Sequence, residues 1–261
     1  MTENEDLHVG TDRTDNSQRL RGLIAIQTSG RSGSVCLRVD THPEEVVLFD
    51  PAKRTAVTLT PAINDLLART RAMGANIVRV AVAVGPGSFT GLRIGVTTAK
   101  TLAYALSCRA VAVDTLAAMA GAIFRRDPAI RSACVAINAY RQQLFVAQWD
   151  RDQWTAAIQD DSLASRSEVW PVERWRDRVA TADPEDKTTR FAAESSLVRG
   201  PKPDQPRAPD GGNHSDLIVV DLTAADVADL AISLAGWGHT VAPMRLNPNY
   251  LRDSAAEEKL G

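Results

Sequence analysis

Three glycines and a proline crowd the start of AVGPGSFTGLRIGVTTAKTLAYA, residues 83–105, between an apolar run and a helix-like segment. Such turns hold phosphates when they aim backbone amides from a helix N-terminus. Each familiar template fails here at a nameable residue. A Walker loop needs a lysine for the phosphates and a hydroxyl for magnesium after its last glycine, but Leu92 and Arg93 follow Gly91. A dinucleotide fingerprint needs GxGxxG, whereas Gly85, Gly87 and Gly91 are spaced GxGxxxG. A nucleophile elbow, GxSxG, fails because Pro86 and Thr90 stand where Ser88 would need glycines.

Metal and triad chemistry fare no better. The histidines are His8, His42, His214 and His239, none four apart as an HxxxH ligand pair requires. A Ser-His-Asp triad assembles in space rather than in sequence, yet no elbow offers its serine. Cys36, Cys108 and Cys134 are odd in number and widely separated. With Cys36 and Cys108 in apolar, strand-like runs, they read as buried free thiols of a reducing cytoplasm.

A structural reading of the loop fits better. Gly85 and Gly87 allow a sharp turn, Pro86 sets one φ angle, and Ser88 or Thr90 can cap the helix that follows. Gly91, Gly95, Ala99 and Ala103 then recur every four residues, forming a strip of small side chains along one helix face. Each glycine costs a helix about 1 kcal/mol relative to alanine. Close approach of a sheet, a second helix or a partner's helix is the simplest compensation. Anion binding at the helix N-terminus is the alternative use of the same turn.

The elements that must position this loop follow from periodicity. Residues 22–29, 34–40 and 45–50 are short strand-like runs separated by GRSG and THPE. Leu59, Ile63, Leu66 and Leu67 set an apolar stripe on a helix over 54–73, and 77–85 is apolar enough for a central strand. The loop helix, over 90–106, leads to a strand at 110–114. The resulting β-β-β-α-β-α-β order is that of a ribonuclease-H-like unit.

A weaker second pass follows a helix at 115–126: strands are predicted at 133–140, 143–150 and 154–160. Residues 165–179 read as partly helical, with Pro171 starting or interrupting a turn, and 222–238 as a last helix capped by Thr223. The expected organisation is a polar, disordered extension over 1–20, a first lobe over 21–114 and a second over 115–245. The second lobe carries a flexible insert at about 200–216, and 246–261 forms a C-terminal tail. The fold class is α/β, with two lobes built from duplicated βββαβα units and the second degenerate.

Composition agrees with a soluble α/β chain. The 261 residues are 44% hydrophobic but only 5% aromatic, so Ala, Val, Leu and Ile build the core. A net charge of −2 gives no general pull toward nucleic acid. No apolar run reaches the roughly 18–20 residues of a membrane span, and the first twenty residues lack a signal-peptide core. The tryptophans 149, 154, 170, 175 and 237 all fall in the second half. They read as core filling in a lobe poor in other aromatics, with a base-stacking platform as the alternative. The run RWRDR, residues 174–178, reads as a solvated helix face.

The stretch VGPGSFTGLRIGVTTAKTLAYAL closely resembles the signature of the TsaB family, matching at Gly85, Pro86, Gly87, Ser88, Phe89, Thr90, Gly91, Arg93, Gly95 and Ala99. LIAIQTS near the start, DTLAAMA at 114–120 and NPNYLRDSAAEEK at 247–259 also resemble that family. The resemblance implies an actin-like (ASKHA) fold and a non-catalytic subunit of N6-threonylcarbamoyladenosine synthesis on tRNA, in a group once labelled glycoprotease-like. It implies binding to a TsaD-type catalytic subunit, which transfers threonylcarbamoyl to N6 of adenosine 37, with a TsaE-type ATPase as a further partner. ATP and metal are expected on the catalytic partner, with none bound by this chain alone, and tRNA is met only indirectly.

The implied contact surface is the helix at 54–73, with Leu59, Ile63, Leu66 and Leu67, beside the loop helix with Gly91, Gly95, Ala99 and Ala103. The same helices are implied as a homodimer surface. Two positions depart from the family pattern. Gln27-Thr28 stands where the family has Asp-Thr, and Asn138-Ala139-Tyr140 where it has Asp-Ala-Arg. Both acids are amides here, which disfavours a metal–nucleotide complex. The rival readings are an actin-like nucleotide-dependent enzyme, a glycoprotease-like hydrolase, or a stand-alone binding module.

Overall fold

The computed structural model describes residues 20–198 and 217–251. The expectations for the N-terminal extension, the insert and most of the tail, including His8 and His214, lie outside these residues.

The first unit contains β1 (Arg21–Gln27), β2 (Ser34–Val39), β3 (Glu45–Leu48), α1 (Thr55–Ala72), β4 (Asn76–Gly85), α2 (Phe89–Ala105) and β5 (Arg109–Asp114). Its sheet order is β3-β2-β1-β4-β5, with β1–β2 and β2–β3 antiparallel and β1–β4 and β4–β5 parallel. The second unit contains α3 (Thr115–Arg126), β6 (Ser132–Tyr140), β7 (Gln143–Asp150), α4 (Arg151–Asp160), β8 (Glu168–Pro171) and α5 (Val172–Ala180). It continues through β9 (Thr189–Ala193), α6 (Ser195–Val198), β10 (Leu217–Val219) and α7 (Ala224–Gly236). Its sheet order is β10-β9-β6-β7-β8, with β6–β7 and β7–β8 antiparallel and β6–β9 and β9–β10 parallel. Each sheet thus runs third, second, first, fourth, fifth strand of its own unit. That shared order is the duplication expected of a two-lobed actin-like fold.

Alternation along the strands explains the layering. In β1, Ile24 and Ile26 join the α1 and α2 side, while Leu23 and Ala25 join the side of α3 and α7. Both faces are buried, as the near-continuous apolar strands require. The α3 and α7 core also takes Val135, Ile137, Phe145 and Trp149 from the second sheet, so these two helices lie between the sheets. Alanines keep the layer thin: Ala224, Ala228 and Ala231 of α7 are fully buried. Ion pairs from Arg125 to Asp226 (3.1 Å) and Asp229 (2.8 Å), and from Arg38 to Asp229 (2.6 Å), join α3 and β2 to α7. Thr223 caps α7 in a reciprocal box with Asp226.

Several expectations need correction. The predicted strand at 154–160 is helix α4, and the third strand of the second sheet is β8. Trp154, Ala157 and Ile158 form a helical stripe, and the Trp154 indole N–H donates to the Ala117 carbonyl of α3 (2.9 Å). Gly121 makes room for that ring: a Cβ there would lie 2.6 Å from Trp154 Cζ2. The run at 165–179 divides at Pro171 into strand β8 and helix α5. Neither β9 nor β10 was expected. Cys108 is half-buried ahead of β5 rather than within a strand, whereas Cys36 and Cys134 are buried in β2 and β6. Burial pushes the Cys36 thiol up to about 12 and the Cys134 thiol to about 11. Trp149, Trp170 and Trp175 fill core positions, while Trp237 is exposed. No helix among the described residues is long and apolar enough to cross a membrane.

Candidate functional site

The Gly-Pro-Gly turn leaves β4 through a cis Gly85–Pro86 peptide and enters α2 with Ser88 as its cap, whose hydroxyl accepts from the Gly91 amide (3.3 Å). The turn is shaped by two other segments. A Cβ at Gly85 would lie 2.3 Å from the Asn249 carbonyl oxygen, and one at Gly87 2.5 Å from the Ser29 carbonyl oxygen. The Ser88 amide donates to that Ser29 carbonyl (2.7 Å), and the Asn249 amide donates to the Val84 carbonyl (2.7 Å). The amides of Ser88 and Gly91 are therefore already bonded within the chain. Outside the turn, the Phe89 and Tyr250 rings lie 4.7 Å apart, and the Arg93 guanidinium sits 4.1 Å over Phe89.

The small-residue strip faces inward. A Cβ at Gly91 would lie 2.0 Å from the Thr28 carbonyl oxygen, and one at Gly95 2.1 Å from Thr28 Oγ1. Thr28 completes the contact by donating its hydroxyl to the Gly91 carbonyl (2.8 Å). Ala99 and Ala103 are fully buried in the same core. The close approach is thus made by the chain's own strand end, which corrects the expectation that this strip meets a partner. The α1 residues need the same correction: Leu59, Ile63 and Leu66 are buried and Leu67 is half-buried, all packed in that core.

What these helices present outward is a different set. On α2 the exposed positions are Thr90, Arg93, Thr97, Thr101, Tyr104 and Ala105, recurring at helical spacing. On the adjacent α1 they include Val57, Thr60, Asn64 and Ala68. Counting apolar spacings found the buried stripe; the outer face is its complement and could have been read as such.

Between the sheets, Gln27, Thr115 and Glu194 line a cavity of about 40 Å³. That is far below the roughly 300 Å³ of a typical small-molecule pocket. Gln27 Nε2 donates to Ser29 Oγ (3.1 Å). Asn138 Oδ1 accepts from the Tyr140 amide (2.7 Å), and the Asn138 amide donates to Glu194 Oε1 (2.9 Å). Burial raises the Glu194 carboxyl, opposed by the Ser196 hydroxyl and the Asn138 amide. Among the described residues no three His, Cys, Asp or Glu side chains gather as a metal site. Of the described histidines, His42 lies on an exposed turn and His239 contacts the Gln159 carbonyl (2.8 Å). Sequence reasoning missed Glu194, which carries no motif and reaches the cavity only through the pairing of β9 with β6.

Comparisons with known proteins place this geometry. A sequence model of the family described as TsaD, tRNA N6-adenosine threonylcarbamoyltransferase, matches residues 47–177. The tRNA threonylcarbamoyladenosine biosynthesis protein TsaB of Escherichia coli K12 is 29% identical over 243 residues, covering 91% of this chain and 97% of that protein. The protein of the same name from Bacillus subtilis is 39% identical over 99 residues, covering 38% and 43%. Among solved structures, a Pseudomonas aeruginosa protein described as similar to peptidase YEAZ superposes with a TM-score of 0.66. It is 24% identical and covers 89% of this chain and 100% of its own.

Proposed function

Since the chain belongs to the threonylcarbamoyltransferase family and, within it, to the TsaB proteins, we propose that it serves threonylcarbamoyladenosine synthesis on tRNA as a non-catalytic subunit. Its role is to bind and activate a TsaD-type catalytic subunit, which holds the ATP and metal and transfers the threonylcarbamoyl group to N6 of adenosine 37. The observation that carries this reading is the state of the two cleft amides. Gln27 and Asn138 are neutral, and each is tied into its own turn. Neither can supply the anionic charge that a metal–nucleotide complex needs.

The proposed contact is the outward face of α1 and α2, not the strip beneath it. A stable complex buries about 800 Å² per partner, so the contact is expected to span both neighbouring helices. Thr97 and Thr101 stand one turn apart on the exposed side of α2. Small hydroxyl side chains there allow helices to approach closely without leaving a large polar group unpaired. A TsaE-type ATPase would join the assembled pair, and a second copy of the chain would compete for the same helices.

The test is a pull-down and tRNA-modification assay with the TsaD-type subunit of the same organism. Thr97→Glu is expected to weaken binding about a hundredfold, since an uncompensated buried charge costs about 3 kcal/mol, with thermal stability unchanged. Modification proceeding equally well without this chain would overturn the reading. So would catalysis by this chain alone.

A further inference from the structure

The cavity between the sheets contains two buried polar atoms whose bonding the chain does not complete. Gln27, at the end of β1, is 3% exposed, and Thr115, at the start of α3, is 1% exposed. Gln27 spends its amide N–H on Ser29, which leaves Oε1 without a donor, and Thr115 Oγ1 has no protein partner. Both residues line the same cavity, together with Met119, Ile137 and Glu194. Buried side-chain oxygens in folded proteins are almost always bonded to protein or to ordered water.

Glu194 stands across the opening. Its Oε1 accepts from the Asn138 amide and from the Ser196 hydroxyl (2.6 Å). Its Oε2 and Gln27 Nε2 flank Gly30, lying 3.9 and 3.7 Å from the point where a Cβ on Gly30 would sit. The groups these three residues bring to the cavity are an amide oxygen, a hydroxyl and a carboxylate. Arg31 and Asp221 also line the cavity, so its rim carries both signs of charge, while the two unpartnered oxygens inside call for a small hydrogen-bond donor. With about 40 Å³ available and about 10–15 Å³ needed per water, the space suits about three or four waters.

We propose that this cavity is a hydrated joint, in which ordered water bridges Gln27 Oε1 of the first sheet to Thr115 Oγ1 of α3 and onward to the Glu194 carboxylate of the second sheet. Water donates to the amide and carboxylate oxygens and exchanges both roles with the hydroxyl. The two lobes are joined there by water rather than by a bound nucleotide or ion. This inference is independent of which protein docks on α1 and α2.

The test is a crystal structure of the full chain at about 1.5 Å, from crystals with and without a thallium(I) soak. Ordered peaks within about 3.2 Å of both Gln27 Oε1 and Thr115 Oγ1, with no anomalous signal after soaking, are the expected result. An empty cavity, or a thallium peak marking a cation, would overturn the proposal. In solution, Gln27→Met and Thr115→Val are compared singly and together by denaturant unfolding. A bridging water predicts that the double variant loses at least threefold less folding equilibrium than the product of the single losses. Losses that simply multiply would count against the bridge.

Discussion

Gly91→Ala tests the inward direction of the small-residue strip. On an exposed or partner-facing helix surface, replacing glycine with alanine stabilises the free protein by about 1 kcal/mol through helix propensity. Here the new methyl would lie 2.0 Å from the Thr28 carbonyl oxygen, a backbone atom that cannot rotate away. Moving it would break the Thr28 hydroxyl bond to the Gly91 carbonyl and the Ser88 amide bond to Ser29. Two such bonds contribute about 2 kcal/mol together, and overpacking adds about 2 kcal/mol. Set against the propensity gain, the net expectation is a loss of about 3 kcal/mol. With a urea slope of about 3 kcal/mol/M for a chain of this size, the unfolding midpoint should fall by about 1 M. Gly236→Ala is the matched control, because a Cβ at that helix end meets nothing within 4 Å. It should leave the midpoint unchanged or slightly raised. If Gly91→Ala matched the control, the strip would not be packed against Thr28 and the inward assignment would be wrong.

Two further outcomes follow from particular side chains. Asp114 caps α3 at the Ala117 amide (2.8 Å), and burial pushes its carboxyl from 3.8 up to about 7, opposed by the Ala117 and Leu116 amides and the Ser167 hydroxyl. The folded state therefore holds this proton more tightly than the unfolded chain does. The stability it contributes is full below about pH 4 and is lost as pH rises through 7, by about 4 kcal/mol at most. Asp114→Asn keeps a capping oxygen without the charge, so its stability between pH 4 and 8 should fall less than that of the parent in calorimetric scans. An identical pH profile would refute the assignment. Arg151 donates to the carbonyls of Phe124 (3.0 Å), Asp127 (2.8 Å) and Ile130 (2.8 Å), fastening the end of α3 to the start of α4. Arg151→Met should cost about 3 kcal/mol in denaturant unfolding, since each bond from a charged donor contributes about 1.5–3 kcal/mol and the variant partly relaxes. A cost under about 0.5 kcal/mol would show that these carbonyls find other partners.

Much of the architecture was legible in the residues because it rests on local rules. Apolar runs, the first of them set off by turn formers, marked β1, β2, β4, β6 and β7, the Leu59, Ile63 and Leu66 stripe marked α1, and Thr223 marked the start of α7. The failures came where short segments carry two readings. Residues 154–160 are as apolar as a strand, but contact with Ala117 and Gly121 of α3 makes them a helix. The three residues of β10 have no pattern of their own and are defined by pairing with β9.

At the Gly-Pro-Gly turn, the residues by themselves determined that the backbone turns sharply, that a helix follows, and that something approaches its small face closely. Which body approaches was decided only by tertiary structure. It is Thr28, 63 positions before Gly91, brought there by the parallel pairing of β1 with β4. A glycine records that space is required but not what fills it. That identity depends on contacts distant in sequence, and so does the direction in which the outer face of α2 is left open.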